Sequence, residues 1–294
     1  MWAITSYFNP CRYSRRLDNY RVFRSRLRVP LVAVELSFGD GFDLTEQDAD
    51  ILIQLRGEDI LWQKERLLNV ALASVPSSVT AVAWLDCDAV FADPAWVEHS
   101  VECLREFPIV QLFTCLEDLG PCADIDLPNP ARVERVATSL AAQVAAGADP
   151  NDLLAPARRK RAVRKLATGH AWAGQREVVE QIEFYDACII GGGDRTMASA
   201  FFGLASHAAQ SLCMNGAREG HYRVWADRVW ELVRGQVGAV PGTLRHLWHG
   251  SLADRGWQNR QERLSEFEFN PRCPQHHRPF VVPPSGGIAW QKAA

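Results

Sequence analysis

The sequence predicts an α/β fold with a mainly parallel sheet flanked by helices. Short apolar runs at 2–6, 31–36, 51–55 and 79–85 have the length and near-continuous hydrophobicity of strands buried on both faces. Stretches with apolar residues at helical spacing lie between them, at 14–27 and 62–73. Strands alternating with helices imply crossover connections, and crossovers build parallel sheets. With 294 residues the chain can bury a sizeable core.

The first strand begins at Trp2 and ends in a polar turn at Tyr7-Phe8-Asn9-Pro10. The helix expected over 14–27 sets Leu17, Tyr20, Val22, Phe23 and Leu27 on one broad face. After the strands at 31–36 and 51–55, the helix over 62–73 carries Leu67, Leu68, Val70 and Ala71, and Pro76 closes it. The strand over 79–85 runs directly into Asp86-Cys87-Asp88, and another is expected at 109–114. Residues 117–167 change character. They hold Pro121, Pro128 and Pro130, an alanine-rich stretch read as a helix over 133–146, and a basic run from Arg158 to Lys165. This segment is read as a helical insertion into the sheet domain. Residues 169–173 return to strand, 176–181 to helix, and 198–213 to a further apolar helix. The reading is one domain over 1–270 and a C-terminal tail over 271–294, loosely packed after Phe280.

Apolar residues make up 47% and charged residues 23%, with a formal net charge of -3, so no global pull toward nucleic acid is expected. The eight cysteines show no paired C-x-x-C spacing and are read as reduced, which points to the cytoplasm. The start of the chain turns polar too soon for a signal peptide, and no run approaches the ~20 apolar residues of a membrane span. The basic run Arg158-Arg159-Lys160-Arg161, with Arg164 and Lys165, has two readings. It is either a solvated helix face or a surface for an anionic acceptor, a nucleic acid or the inner face of a membrane.

Asp86 and Asp88 are the first candidate site residues. Side chains two apart along an extended chain project to the same side, and in open α/β sheets the ligand crevice lies beyond the carboxyl ends of the strands. Two carboxylates placed there can share a divalent cation that bridges phosphates. The plain alternative is a solvated turn. Thr5, Tyr7 and Asn9 stand at the carboxyl end of the first strand, where a nucleobase and ribose would lie. Arg15, Arg16 and Lys64 can complement a diphosphate, although Lys64 also fits an ordinary charged helix face.

The order of motifs resembles the GT-A glycosyltransferases, most closely the catalytic domains of the β-1,4-galactosyltransferase and polypeptide N-acetylgalactosaminyltransferase type. The likeness is carried by Ile4-Thr5-Ser6-Tyr7-Phe8-Asn9 with Arg15-Arg16, by Leu67-Leu68-Asn69-Val70, and by Asp86-Cys87-Asp88. It continues through Gly169, Trp172, Arg176, Phe184-Tyr185-Asp186 and Gly191-Gly192-Gly193-Asp194, and then Arg245-His246-Leu247-Trp248-His249-Gly250. Together these blocks span about residues 2–265. The resemblance implies a Rossmann-like GT-A domain using Mn2+ or Mg2+ and a nucleotide-sugar donor, UDP-linked by preference. The acceptor would be a glycan, a lipid-linked sugar or a protein.

On the same resemblance Asp86, Asp88 and His249 would hold the metal, with His246 competing with His249. Asp194 would be the general base of an inverting transfer, although aspartate also caps helices. Trp172 and Tyr185 would form an acceptor platform, with room for the sugar left by Gly192 and Gly193, although Trp172 also suits a core. Two departures stand out. Gly193 occupies the place of the family's glutamate, and Ile189 and Ile190 replace its aromatic residues. Three alternatives stay open: a retaining GT-A enzyme, a nucleotidyltransferase making a nucleotide sugar, and a non-catalytic sugar- or nucleic-acid-binding module. The turn after the first strand lacks the glycines that a nucleotidyltransferase would use.

Overall fold

The computed structural model describes residues 1–39, 41–57, 60–126, 129–156, 165–250 and 257–273. The first half of the chain forms β1 (Trp2–Phe8), α1 (Ser14–Arg26), β2 (Leu31–Ser37), β3 (Ile51–Arg56), α2 (Lys64–Ala73), β4 (Ala81–Leu85), β5 (Ala89–Phe91), α3 (Trp96–Cys103), β6 (Ile109–Gln111), β7 (Cys115–Leu119) and β8 (Val133–Ser139). The second half continues with α4 (Leu140–Ala145), α5 (Pro150–Leu153), β9 (Leu166–Ala167), β10 (Ala171–Gln175), α6 (Arg176–Ile182), α7 (Gly193–Phe201), α8 (Ala205–Ser211), α9 (Gly216–Val233), β11 (Val237–Ala239), β12 (Thr243–His246) and α10 (Trp257–Glu266).

The expected α/β architecture is present. A seven-stranded sheet has the order β11-β6-β10-β4-β1-β2-β3, parallel except for β10, which runs antiparallel to both β4 and β6. Strands β2, β4 and β6 are buried on both faces, which is why they read as apolar runs rather than alternations. Val32, Val34, Val82 and Trp84 join one core, and Leu31, Ala33, Ala81, Ala83 and Leu85 join the other. The first core receives side chains from α2, α6, α7 and α9, and the second receives Tyr20 and Phe23 of α1 with Trp96 of α3.

The segment 117–167 differs from the helical insertion expected of it. Much of it belongs to a second, five-stranded sheet of order β5-β12-β7-β8-β9. Val133–Ser139, read as the start of a helix, is a strand. Residues 134, 136 and 138 are exposed, whereas Ala137 and Ser139 are buried, a period of two that the alanine content obscured. Of the helix expected over 133–146, Leu140–Ala145 is helical, with the Ser139 hydroxyl capping it through Ala142 N–H. The helix expected over 198–213 is two helices. Gly203 has φ +69° and closes α7 with the Trp230 ring against it, and any side chain there would meet both strain and contact.

All eight cysteines are free. Among the described residues no helix is long and apolar enough to cross a membrane. The basic run, apart from Lys165, lies outside the described residues, as does the tail from residue 274.

Candidate active site

β4 delivers its aspartates at the carboxyl end of the large sheet, but not as an extended pair. The chain turns at once: Ala89 N–H donates to Asp86 C=O at 3.2 Å, and β5 leaves in a new direction. Asp86 and Asp88 therefore acquire different partners.

Asp86 is tied to the large sheet. Its N–H donates to His170 C=O at 2.8 Å. One carboxylate oxygen meets Lys64 Nζ at 2.6 Å and the other stands 3.4 Å from His170 Nδ1. Lys64, the first residue of α2, reaches across to Asp194 Oδ1 at 2.9 Å and so bridges two carboxylates. Burial opposes the charge on Asp86, but the Lys64 ammonium and His170 hold its carboxyl well below the ordinary range. Burial likewise opposes the Lys64 charge, and Asp194 and Asp86 outweigh it, so its pKa rises well above normal.

Asp88 faces the second sheet. Its two oxygens stand 3.5 Å from His246 Nε2 and 3.5 Å from His249 Nε2. Leu247 N–H donates to Asp88 C=O at 2.8 Å, which holds the histidine-bearing segment against the turn. Among the described residues, Asp88, His246 and His249 are the group that brings three ligand atoms within 4.8 Å of one another. This nitrogen and oxygen donor set fits a divalent ion such as Mn2+. Adjacent ligands of an ion bound at about 2.1 Å stand about 3.0–3.4 Å apart, and the two Asp88–histidine separations of 3.5 Å lie just above that range. Both histidines that competed in the sequence reading are thus present, and Asp86 is not a member of the group. Behind them Asp118 Oδ1 pairs with His246 Nδ1 at 2.8 Å. Burial would raise the Asp118 pKa, but His246 and Arg135 hold it well below the usual carboxylate range.

Asp194 lies in the first turn of α7 and accepts no capping role, because Gly192 is the N-cap. Its carboxylate presses on Gly169, where an added Cβ would come within 2.3 Å of Oδ2. Gly193 abuts Glu65, where an added Cβ would come within 1.8 Å of Oε1. A carboxyl from α2 thus fills the space beside the position where the resembling family carries a glutamate. Burial pushes Glu65 up to about 8, against the pull of Lys64.

Two expectations about the acceptor are corrected. Trp172 is 1% exposed and stacks against Trp84 in the core, and Tyr185 is packed among Tyr222, Trp225 and His221. Neither ring has a free face for a sugar. Gly192 and Gly193 leave no room either, since Leu212, Gln261 and Glu65 occupy the space above them. An accessible ring at this end is Trp62, 37% exposed, edge-on to Phe8 at 5.4 Å and beside Gly191.

The nucleotide candidates divide. Thr5 is fully buried and its hydroxyl donates to Leu85 C=O at 2.7 Å, so it ties β1 to β4 instead of facing a ligand. Tyr7 is 1% exposed, too buried to stack on a base, and its hydroxyl donates to Asp43 Oδ2 at 2.8 Å. Asn9 donates to the same oxygen at 3.2 Å. Tyr7, Asn9, Glu35, Phe38 and Asp43 help to line a cavity of about 250 Å³ at the ends of β1 and β2. Arg16 lies over Phe8, and against the cost of burial Asp88 and Asp86 help to raise its pKa. Arg15 instead sits over Trp248, beside a second cavity.

Sequence reasoning missed His170, Asp118, Glu65 and Trp62. His170 carried one signal, its place beside Gly169 in a motif already singled out. Asp118 carried none, since its segment read as helical.

No protein-family model and no curated protein sequence matches the chain. Solved structures match in outline. Mycobacterium tuberculosis glucosyl-3-phosphoglycerate synthase, also solved with Mn2+ and UDP-glucose, is 14% identical over 91% of this chain and 79% of its own, with a TM-score of 0.44. The catalytic domain of Drosophila β1,4-galactosyltransferase 7 is 13% identical over 90% and 79%, with a TM-score of 0.37. The 4-diphosphocytidyl-2C-methyl-D-erythritol synthase of Anaerococcus prevotii is 11% identical over 89% and 95%, with a TM-score of 0.36. Scores below 0.5 at such identities leave the reading of the site to the chain's own residues.

Proposed function

We propose that this protein is a metal-dependent glycosyltransferase that moves a sugar from a nucleotide diphosphate donor to a hydroxyl acceptor. One observation carries the reading: an Asp-His-His cluster with metal-ligand spacing and a Lys64-bridged pair of carboxylates meet at the carboxyl end of a mainly parallel sheet. Asp88, His246 and His249 would hold the ion, which supplies positive charge for the departing diphosphate. Arg16, charged and close to both aspartates, would add to it. The cavity at the ends of β1 and β2 has the position and size for a nucleobase, with Asp43 and Asn9 as polar contacts, and the family resemblance favours uracil.

Asp194 is the proposed general base of an inverting transfer. It is fixed between Lys64 and Gly169 and remains about one third exposed, which leaves it accessible to an acceptor hydroxyl. Trp62 would offer that acceptor its ring face.

Calorimetric titration with UDP and then GDP, with and without Mn2+, tests the donor site. Mn2+-dependent binding that disappears in Asp88→Asn is the expected result, and no binding to either nucleotide would sink the reading. Analysis of the product anomer by NMR tests Asp194, since retained configuration removes the need for a base there.

A further inference from the structure

We propose that Asp118 is the positioning residue of the metal centre, holding His246 with its proton on Nδ1 so that Nε2 is presented to the ion. The inference rests on the metal site read above. It gives the five-stranded sheet a task that its sequence did not disclose.

Three strands carry the argument. In the parallel pairing of β12 with β7, His246 stands opposite Asp118, and in the antiparallel pairing of β7 with β8, Asp118 stands opposite Arg135. The three side chains thus form one cross-strand row. Asp118 Oδ1 lies 2.8 Å from His246 Nδ1, and Arg135 Nε donates to Asp118 Oδ2. All three are largely buried, with side chains 6%, 5% and 15% exposed for His246, Asp118 and Arg135.

A carboxylate only accepts hydrogen bonds, so the imidazole nitrogen facing it must be the donor. With the proton on Nδ1, the lone pair of the neutral ring is on Nε2, the atom 3.5 Å from Asp88. Arg135 occupies the other oxygen of Asp118 and orients the carboxylate toward the ring. The pattern is that of a metal-bound histidine whose second nitrogen is held by an outer carboxylate, a contact whose loss typically weakens metal binding 10–100-fold.

The test compares wild type, Asp118→Ala, Asp118→Asn and His246→Ala by titration with Mn2+ alone, with thermal unfolding of each metal-free variant. Asp118→Ala is expected to bind Mn2+ about 10–100-fold more weakly. Asp118→Asn keeps an acceptor oxygen and should recover most of that affinity. Nitrogen-15 spectra with Zn2+ as the diamagnetic probe should show the His246 proton on Nδ1 in wild type and not in Asp118→Ala. Mn2+ affinity unchanged in Asp118→Ala but lost in His246→Ala would overturn the inference and leave the metal site standing. Should Asp118→Ala fail to fold, an Asp118→Asn variant as weak as His246→Ala would overturn it equally. Wild type that binds no Mn2+ would remove the metal reading and this inference together.

Discussion

Asp86 and Asp88 are separated by one residue, yet they serve different halves of the molecule. Asp86 meets α2 and already has a cation, Lys64 Nζ at 2.6 Å. Asp88 faces the second sheet and has two imidazole nitrogens at 3.5 Å. An ammonium this close both neutralises a carboxylate and repels a divalent ion, whereas neutral imidazoles add donors without adding charge. A D-x-D sequence therefore does not imply two equivalent ligands. The turn closed by Ala89 N–H separates them, and the surroundings assign the roles.

Mn2+ affinity in two variants tests this division of roles directly. Asp88→Asn is expected to lose at least ~100-fold, about 2.7 kcal/mol, while Asp86→Asn stays within about threefold. Equal losses, measured by calorimetry or Mn2+ electron paramagnetic resonance, would make the two aspartates joint ligands after all. Next in size is Lys64→Met, which leaves two neighbouring carboxylates without their cation. Unfolding in urea should show a loss of about 2 kcal/mol, below the range for fully buried pairs because Asp194 is one third exposed. An unchanged midpoint would show that the bridge contributes nothing to the fold.

Gly169→Ala perturbs the Asp86 side alone. Its Cβ would sit 2.3 Å from Asp194 Oδ2, so the carboxylate must move, at a cost of about 1–2 kcal/mol. Sugar transfer should fall while Mn2+ affinity holds, and a parallel fall in both would mean that the two regions are not separable.

A pH dependence tests the same buried cluster from the side of Glu65. The Glu65 carboxyl, raised to about 8 in the folded protein from an ordinary 4.5, binds its proton more tightly when folded. Its contribution to stability is therefore present below about 4.5 and is lost as pH rises toward 8. Glu65→Gln, which cannot ionise, should gain stability relative to wild type between pH 5 and pH 8 in thermal unfolding. A difference that is flat across that window would place Glu65 outside the buried cluster.

Much of the large sheet was legible because its strands and helices are local patterns. The runs at Leu31–Ser37 and Ile51–Arg56 are mostly apolar, and α1 and α2 follow helical spacing. The second sheet was not legible. β7 and β9 are short, and the alanines around Val133–Ser139 suit a helix as well as a strand. Of the site, Asp88 and His249 could be read from their motifs. Trp172 was misplaced because a tryptophan next to a polar motif looks the same in sequence whether its ring faces a ligand or Trp84.

The amino-acid sequence by itself determined the alternation of strands and helices, the position of the aspartates after an apolar strand, and the supply of histidines near the end of the domain. Those features depend on spacing over a few residues, where backbone geometry dictates which side chains share a face. Tertiary structure alone decided which aspartate meets the histidines, that Asp118 stands behind His246, and that Glu65 fills the space beside Gly193. Each of these joins residues far apart in the chain, 128 positions for Asp118 and His246. Such contacts are set by how two sheets pack and register, which no local pattern encodes.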